Sequence, residues 1–208
     1  GIALGINPPV PLNYLTINQQ FLILTGIMAF ALMSLIMLLS VRPKWLEGYL
    51  NGLDKSYQIH KWAGILATSL GLLHYGLELW KPFLVETFGT VERGAKVPGF
   101  FDAFRHSAKS FGEWSLWVFA GMLVITLWQK FPYHIWRYTH KLMAFLYLVI
   151  VFHAVVLTPP GFWVQPVGLL IAFCGLVGTL CAGITIFGRI AARSRRSGTI
   201  TGIRHHDD

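Results

Sequence analysis

Charge is scarce in this chain. Its 208 residues hold nine Asp and Glu against 17 Lys and Arg, so charged side chains make up only 12%. An ordinary soluble domain carries about 25%, and the shortfall excludes a water-facing globular surface. Cysteine is rare too. Cys174 and Cys181 are the only two, seven residues apart in one apolar run, which leaves no disulfide framework or metal cluster and implies two small core residues. Gly1 stands where a methionine would, and no secretion leader is visible, so a trimmed or processed N-terminus is expected. Apolar bulk is what remains. Hydrophobic residues reach 54% and aromatics 14%, eight of them Trp, with a mean hydropathy of +0.56. The expected fold class is an all-α membrane protein, a helical bundle of about five visible transmembrane helices in one domain, its tryptophans serving interfacial belts and packing.

Taken in order, residues 1–16 are broken by Pro8, Pro9 and Pro11 and are too short to span. They are expected to end a preceding helix. A first span runs from Gln19 to Ser40 and stops at Arg42, Pro43 and Lys44. Trp45–Tyr57, mixed in polarity and punctuated by Gly, suits an interfacial helix. The second span is Gln58–Trp80, ended by Lys81 and Pro82. Residues 83–111 carry Glu86, Glu92, Arg93, Lys96, Asp102, Arg105, His106 and Lys109 and read as a long polar loop, either a lid or a plain solvated connection. Further spans are expected over Gly112–Gln129, Tyr138–Leu157 and Trp163–Phe187, with turns at 130–137 and 158–162. The bundle ends with the cluster Arg189, Arg193, Arg195 and Arg196. Alternation through these spans puts twelve of the seventeen basic residues on the side of that cluster, so the positive-inside bias makes it cytoplasmic. The net charge of +8 is then explained by topology and by membrane lipid, not by nucleic acid. A multi-pass protein of the bacterial inner (plasma) membrane, with a cytoplasmic C-terminus, is expected.

Two spans share one design. His60 and His74 stand fourteen residues apart in QIHKWAGILATSLGLLHYGLELW, and His140 and His153 thirteen apart in YTHKLMAFLYLVIVFHAVVL. At about 1.5 Å rise per residue, each pair marks two levels roughly 20 Å apart. A lone histidine on an apolar helix is usually a satisfied core residue. Matched pairs on two helices point instead to shared groups, because an ionisable side chain inside a membrane is costly and neutral imidazole is an axial ligand for haem iron. Two haems b are expected, with His60 facing His140 and His74 facing His153. Such haems leave no open iron position, so an acceptor takes its electron at the haem edge. One geometric obstacle stands: thirteen residues turn an ideal helix so that His140 and His153 lie about 140° apart. Either a tightened or bent turn, or a rotation of one haem against the other, must absorb it.

The motifs IHKWAG and WRYTHKLMAF, with the spacings fourteen then thirteen, resemble the ferric reductase and NADPH oxidase transmembrane superfamily. The resemblance runs from about Gln19 to the end. It implies six helices around two stacked b haems, with His60 and His140 holding the inner one and His74 and His153 the outer. It also implies a cytosolic FAD and NAD(P)H dehydrogenase domain as electron donor and a small outer acceptor, molecular oxygen or ferric iron. In the oxidases a second histidine follows the outer ligand by four residues, where this chain has Glu78, and an arginine on a preceding helix helps form the oxygen site. Residues 1–41 hold no arginine. Superoxide production is thus not implied, while outward electron delivery is.

Residues 1–196 are accordingly read as the haem domain. In the tail 197–208 the alternation through Thr199–Ile203 reads as a first strand of a missing FAD-binding domain or as a frayed end. Arg137, Lys61 and Lys141 are candidates for haem propionates, or simply positive-inside residues. Phe145, Tyr147 and Phe152 lie between the levels as path or as packing. Glu78 is a candidate acceptor site or an interfacial carboxylate. His106 and His134 are left outside the ligand set. Two other functions compete: a haem b anchor subunit taking electrons from quinol or a separate flavoprotein for a soluble partner, and a channel or transporter using the histidines for protons.

Overall fold

The computed structural model describes residues 14–50, 52–89, 100–128 and 130–188. The proline-broken N-terminus, the middle of the 83–111 segment, the C-terminal arginine cluster and the tail 197–208 lie outside the described residues. Within them the chain is helical: α1 Tyr14–Val41, α2 Lys44–Tyr49, α3 Leu53–Phe88, α4 Arg105–Leu127, α5 Tyr133–Leu157 and α6 Pro166–Ile186. No strand occurs among the described residues. Four helices, α1, α4 with its preceding turn, α5 and α6, are long and apolar enough to cross a membrane. The fifth long helix, α3, has 36 residues and is diluted by the polar side chains of His60, His74 and Glu78. It nonetheless threads the bundle beside α1.

Several boundaries differ from the sequence reading, each for a local reason. The interfacial helix expected over Trp45–Tyr57 is cut in two at Gly52, whose φ of +124° only glycine adopts readily. Its second half becomes the start of α3. Pro82 does not end the second span. Proline in a helix interior costs about 3 kcal/mol, yet α3 continues to Phe88 because Leu84 is buried and the Phe88 ring stacks on Tyr14 of α1 at 4.4 Å. The polar segment 83–111 is therefore helical at both ends, with a 3-10 turn at Asp102–Phe104 leading into α4. At the far end, α5 begins at Tyr133, directly after Pro132, and not at Tyr138. No 3-10 or π turn interrupts α5. The thirteen-residue spacing is thus accommodated without a tightened turn, and the ring planes cross at 54° in one pair and 75° in the other.

Helix α1 packs along α3 on one side and α6 on the other, α5 joins α4 to α6, and α3 meets α4 along a thinner seam. Apolar side chains alone do not drive helices together in lipid, so close approach and internal hydrogen bonds carry more of the specificity. The centre illustrates this. Tyr147, 1% exposed, donates its hydroxyl to the Cys174 carbonyl at 3.0 Å, and Ser34 donates to the same oxygen at 2.8 Å. Three helices are joined at one acceptor. Cys174 and Cys181 are buried and free, as small core residues.

Gly178 makes this joint possible, since a Cβ there would overlap the Tyr147 hydroxyl. Gly178→Ala is expected to destabilise the bundle by about 1–3 kcal/mol through overpacking, read as a lowered thermal transition in detergent. Gly76→Ala, where nothing lies within 4 Å, should leave the transition in place. Equal transitions for both variants would contradict this packing account.

Candidate functional site

The four histidines of α3 and α5 meet in two pairs. His60 and His140 have ring centroids 6.1 Å apart with the planes at 54°; for His74 and His153 the values are 6.4 Å and 75°. Two imidazoles binding one metal from opposite sides, each through a nitrogen at about 2 Å, hold their centroids about 6–6.5 Å apart. Both pairs have that separation. Among the described residues no group of three or more His, Cys, Asp or Glu side chains converges, so the histidines are arranged in facing pairs and not in a cage.

Each ring of the second pair is set by the same local device. His74 donates from Nδ1 to the Leu22 carbonyl at 2.9 Å, and His153 donates from Nδ1 to the Ala108 carbonyl at 2.8 Å. Carbonyls only accept, so Nδ1 carries the proton and Nε2 keeps the lone pair that a metal takes. One turn beyond each acceptor stands a glycine. A Cβ on Gly26 would come within 2.9 Å of the His74 ring, and one on Gly112 would overlap the His153 ring. In a helix the Cβ leans over the turn preceding it, so a glycine at i uncovers the carbonyl at i−4. Bare backbone on α1 and α4 receives the imidazoles.

At the other level, the His60 ring lies beside the Ile36 backbone. Leu22 and Ile36 are fourteen apart, like His74 and His60, so antiparallel α1 runs in register with α3. His140 differs. Its Nδ1 is buried with no protein partner, and its ring stacks on Trp136 at 4.7 Å, whose indole N–H donates to Thr126 at 3.0 Å.

A cavity of about 550 Å³ surrounds the His60–His140 level, a volume within the range of cofactor sites. Its lining includes Met33, Met37, Phe119, Trp136 and Tyr147, with Arg42, Lys61, Asp54, Ser40 and Thr126 among the polar members. A largely apolar pocket with two cations, one carboxylate and the two histidines in its wall suits a flat, largely apolar group bearing carboxylates. Of the expected cations, Lys61 lines the cavity, whereas Arg137 and Lys141 do not; the Lys141 ammonium sits over the Tyr138 ring at 5.4 Å. Arg42 was not singled out by sequence reasoning. It lines the cavity with φ +54°, a left-handed backbone uncommon outside glycine and costing on the order of 1 kcal/mol or more.

Other candidates separate in the same way. Tyr147 is interior and borders the cavity, Phe145 is 57% exposed, and Phe152 packs against Phe104 and Phe111. Glu78 lies one turn beyond His74, bonded by Lys109 at 2.7 Å and accompanied by Lys81 at 3.7 Å. Its carboxylate is therefore neutralised locally. His106 and His134 are exposed and join neither pair.

These features define an integral membrane helical bundle with facing histidines at two levels. The ferric reductase like transmembrane component family matches residues 25–151, and the chain belongs to that family. At the family level this makes it a transmembrane electron-transfer protein with oxidoreductase character. No curated protein and no solved structure gives a significant match.

Proposed function

We propose that the chain is the membrane segment of an oxidoreductase that carries electrons between the two sides of a membrane through two haems b. The observation that carries this reading is the pair of ring separations, 6.1 and 6.4 Å, at two levels of one bundle. His60 and His140 would hold one haem, His74 and His153 the other. Bound haem supplies one-electron redox chemistry and accounts for the cost of keeping four imidazoles inside apolar helices. The chain's own residues do the rest. Carbonyls on α1 and α4 fix the histidine tautomer and raise ligand basicity. Gly26 and Gly112 let the rings lie against backbone. Arg42 and Lys61, on the cavity beside His60, face where haem carboxylates belong. Tyr147, held by Cys174 and Gly178, fills the interior between the levels and keeps water out.

In this reading the Arg42 end is cytoplasmic, because alternation puts twelve of the seventeen basic residues there. Electrons enter at the His60 level from FAD and NAD(P)H in a linked or separate dehydrogenase domain. They leave at the His74 level to a small acceptor outside, molecular oxygen or ferric iron. With Glu78 already paired to lysines, a bare anionic trap for a cationic acceptor is not what this end offers.

Reduced-minus-oxidised absorbance spectra with pyridine haemochrome quantification should give two b haems per chain for the wild type and one for His74→Ala. Gly112→Ala should reproduce that loss without touching a ligand. A colourless wild type would sink the haem reading and favour proton transport. A redox-active protein reduced by quinol alone would favour the anchor-subunit function. Arg42→Leu is expected to keep the His74-level haem while lowering occupancy at the His60 level, measured by haem stoichiometry after detergent dilution.

A further inference from the structure

We propose that a short stretch of α4, residues 108–113, is a clamp that sets the spacing and tilt of His74 against His153. The proposal rests on reading these histidines as haem ligands. Its residues work in two directions at once. Ala108 and Gly112 form one edge of the stretch: the Ala108 carbonyl accepts from His153 Nδ1 at 2.8 Å, and Gly112 gives the ring its room. Lys109 and Glu113 form the next edge and hold α3. The Lys109 ammonium donates to Glu78 at 2.7 Å, and the Tyr75 hydroxyl donates to Glu113 at 2.5 Å. Tyr75 follows His74 directly, and Glu78 lies one turn on, so both ties hold α3 just beyond the histidine, on its C-terminal side.

The seam between α3 and α4 is thin, with Leu116 against Gly71 as a close apolar contact. With so few contacts along this seam, the two polar ties help set how far α3 stands from α4. Because α4 also carries the carbonyl that orients His153, any change in that distance alters the His74–His153 geometry. The ring planes cross at 75° here against 54° at the other level, so the two levels are distinguishable by a probe of ring orientation. Tyr75, Glu78, Lys109 and Glu113 are positioning residues, acting through the histidines without touching the bound group.

Positioning and field effects separate by choice of variant. Tyr75→Phe removes a tie and leaves the charge unchanged; Glu113→Gln removes the charge and leaves a carbonyl for Tyr75. On the full chain with its haem, low-field electron paramagnetic resonance lines report the angle between axial imidazole planes, one line per haem. Tyr75→Phe should shift one of the two lines, or lose it together with half the haem, and leave the other in place. Glu113→Gln should keep both. Should Tyr75→Phe fail to fold, the same contrast is read at the second tie, where Glu78→Leu should shift the line and Glu78→Gln should not. Unchanged lines in Tyr75→Phe and Glu78→Leu would overturn the clamp while leaving two haems intact. A shift in Glu113→Gln but not in Tyr75→Phe would replace it by a charge effect. A wild type with no haem signal would overturn the underlying function as well.

Discussion

A histidine ring donating into the backbone of a neighbouring helix is the interaction on which the rest of this bundle depends. An unpaired imidazole N–H in a low-dielectric interior is expensive, and a helix ordinarily offers no free acceptor on its flank. The chain meets both conditions with a missing side chain. Gly26 and Gly112 uncover the carbonyls of Leu22 and Ala108, and His74 and His153 take them. That bond fixes the tautomer, the ring orientation and the helix separation together. Antiparallel α1 and α3 must then run in register, which the fourteen-residue match between Leu22 and Ile36 on one side and His74 and His60 on the other expresses.

The two levels are not copies of each other. At the His60 end a large cavity opens, bordered by Arg42 and Lys61, and His140 rests on Trp136 without a backbone acceptor. At the His74 end both rings are seated on helix backbone and the flank is tied by Tyr75–Glu113 and Glu78–Lys109. Hydrogen bonding to a ligating histidine tunes the metal it holds, so under the proposed function this asymmetry would give the two levels different electronic character. Between the levels, the joint of Ser34, Tyr147 and the Cys174 carbonyl keeps α1, α5 and α6 together.

Much of this was legible in the sequence because it is written in spacing. Low charge and long apolar runs gave the membrane bundle, and the intervals of fourteen and thirteen gave the pairing that the structure brings together. Helix ends were less legible. Pro82 and the polar stretch after it read as a stop, but tertiary contacts from Tyr14 and Leu84 outweigh one lost hydrogen bond. The second sphere of the site was illegible for a different reason: Gly26, Gly112 and Arg42 act through contacts with helices distant in sequence. An unexplained glycine inside a strongly apolar span was the available signal for Gly26; Gly112, at the polar start of its span, gave none. Arg137 looked closer to His140 in sequence than Arg42 does, yet Arg42 lines the cavity beside His60 and Arg137 does not.

The most direct test of the central claim, that the two histidine pairs are successive steps of one path across a membrane, is vectorial electron transfer in sealed vesicles. Purified protein would be reconstituted with ferricyanide trapped inside, membrane-impermeant dithionite added outside, and ferricyanide loss followed by absorbance. The account expects protein-dependent reduction of the trapped ferricyanide that is abolished separately by His60→Ala and by His74→Ala in intact, folded variants. Transfer that survives the loss of either pair, or a wild type that transfers nothing while holding two haems, would contradict it.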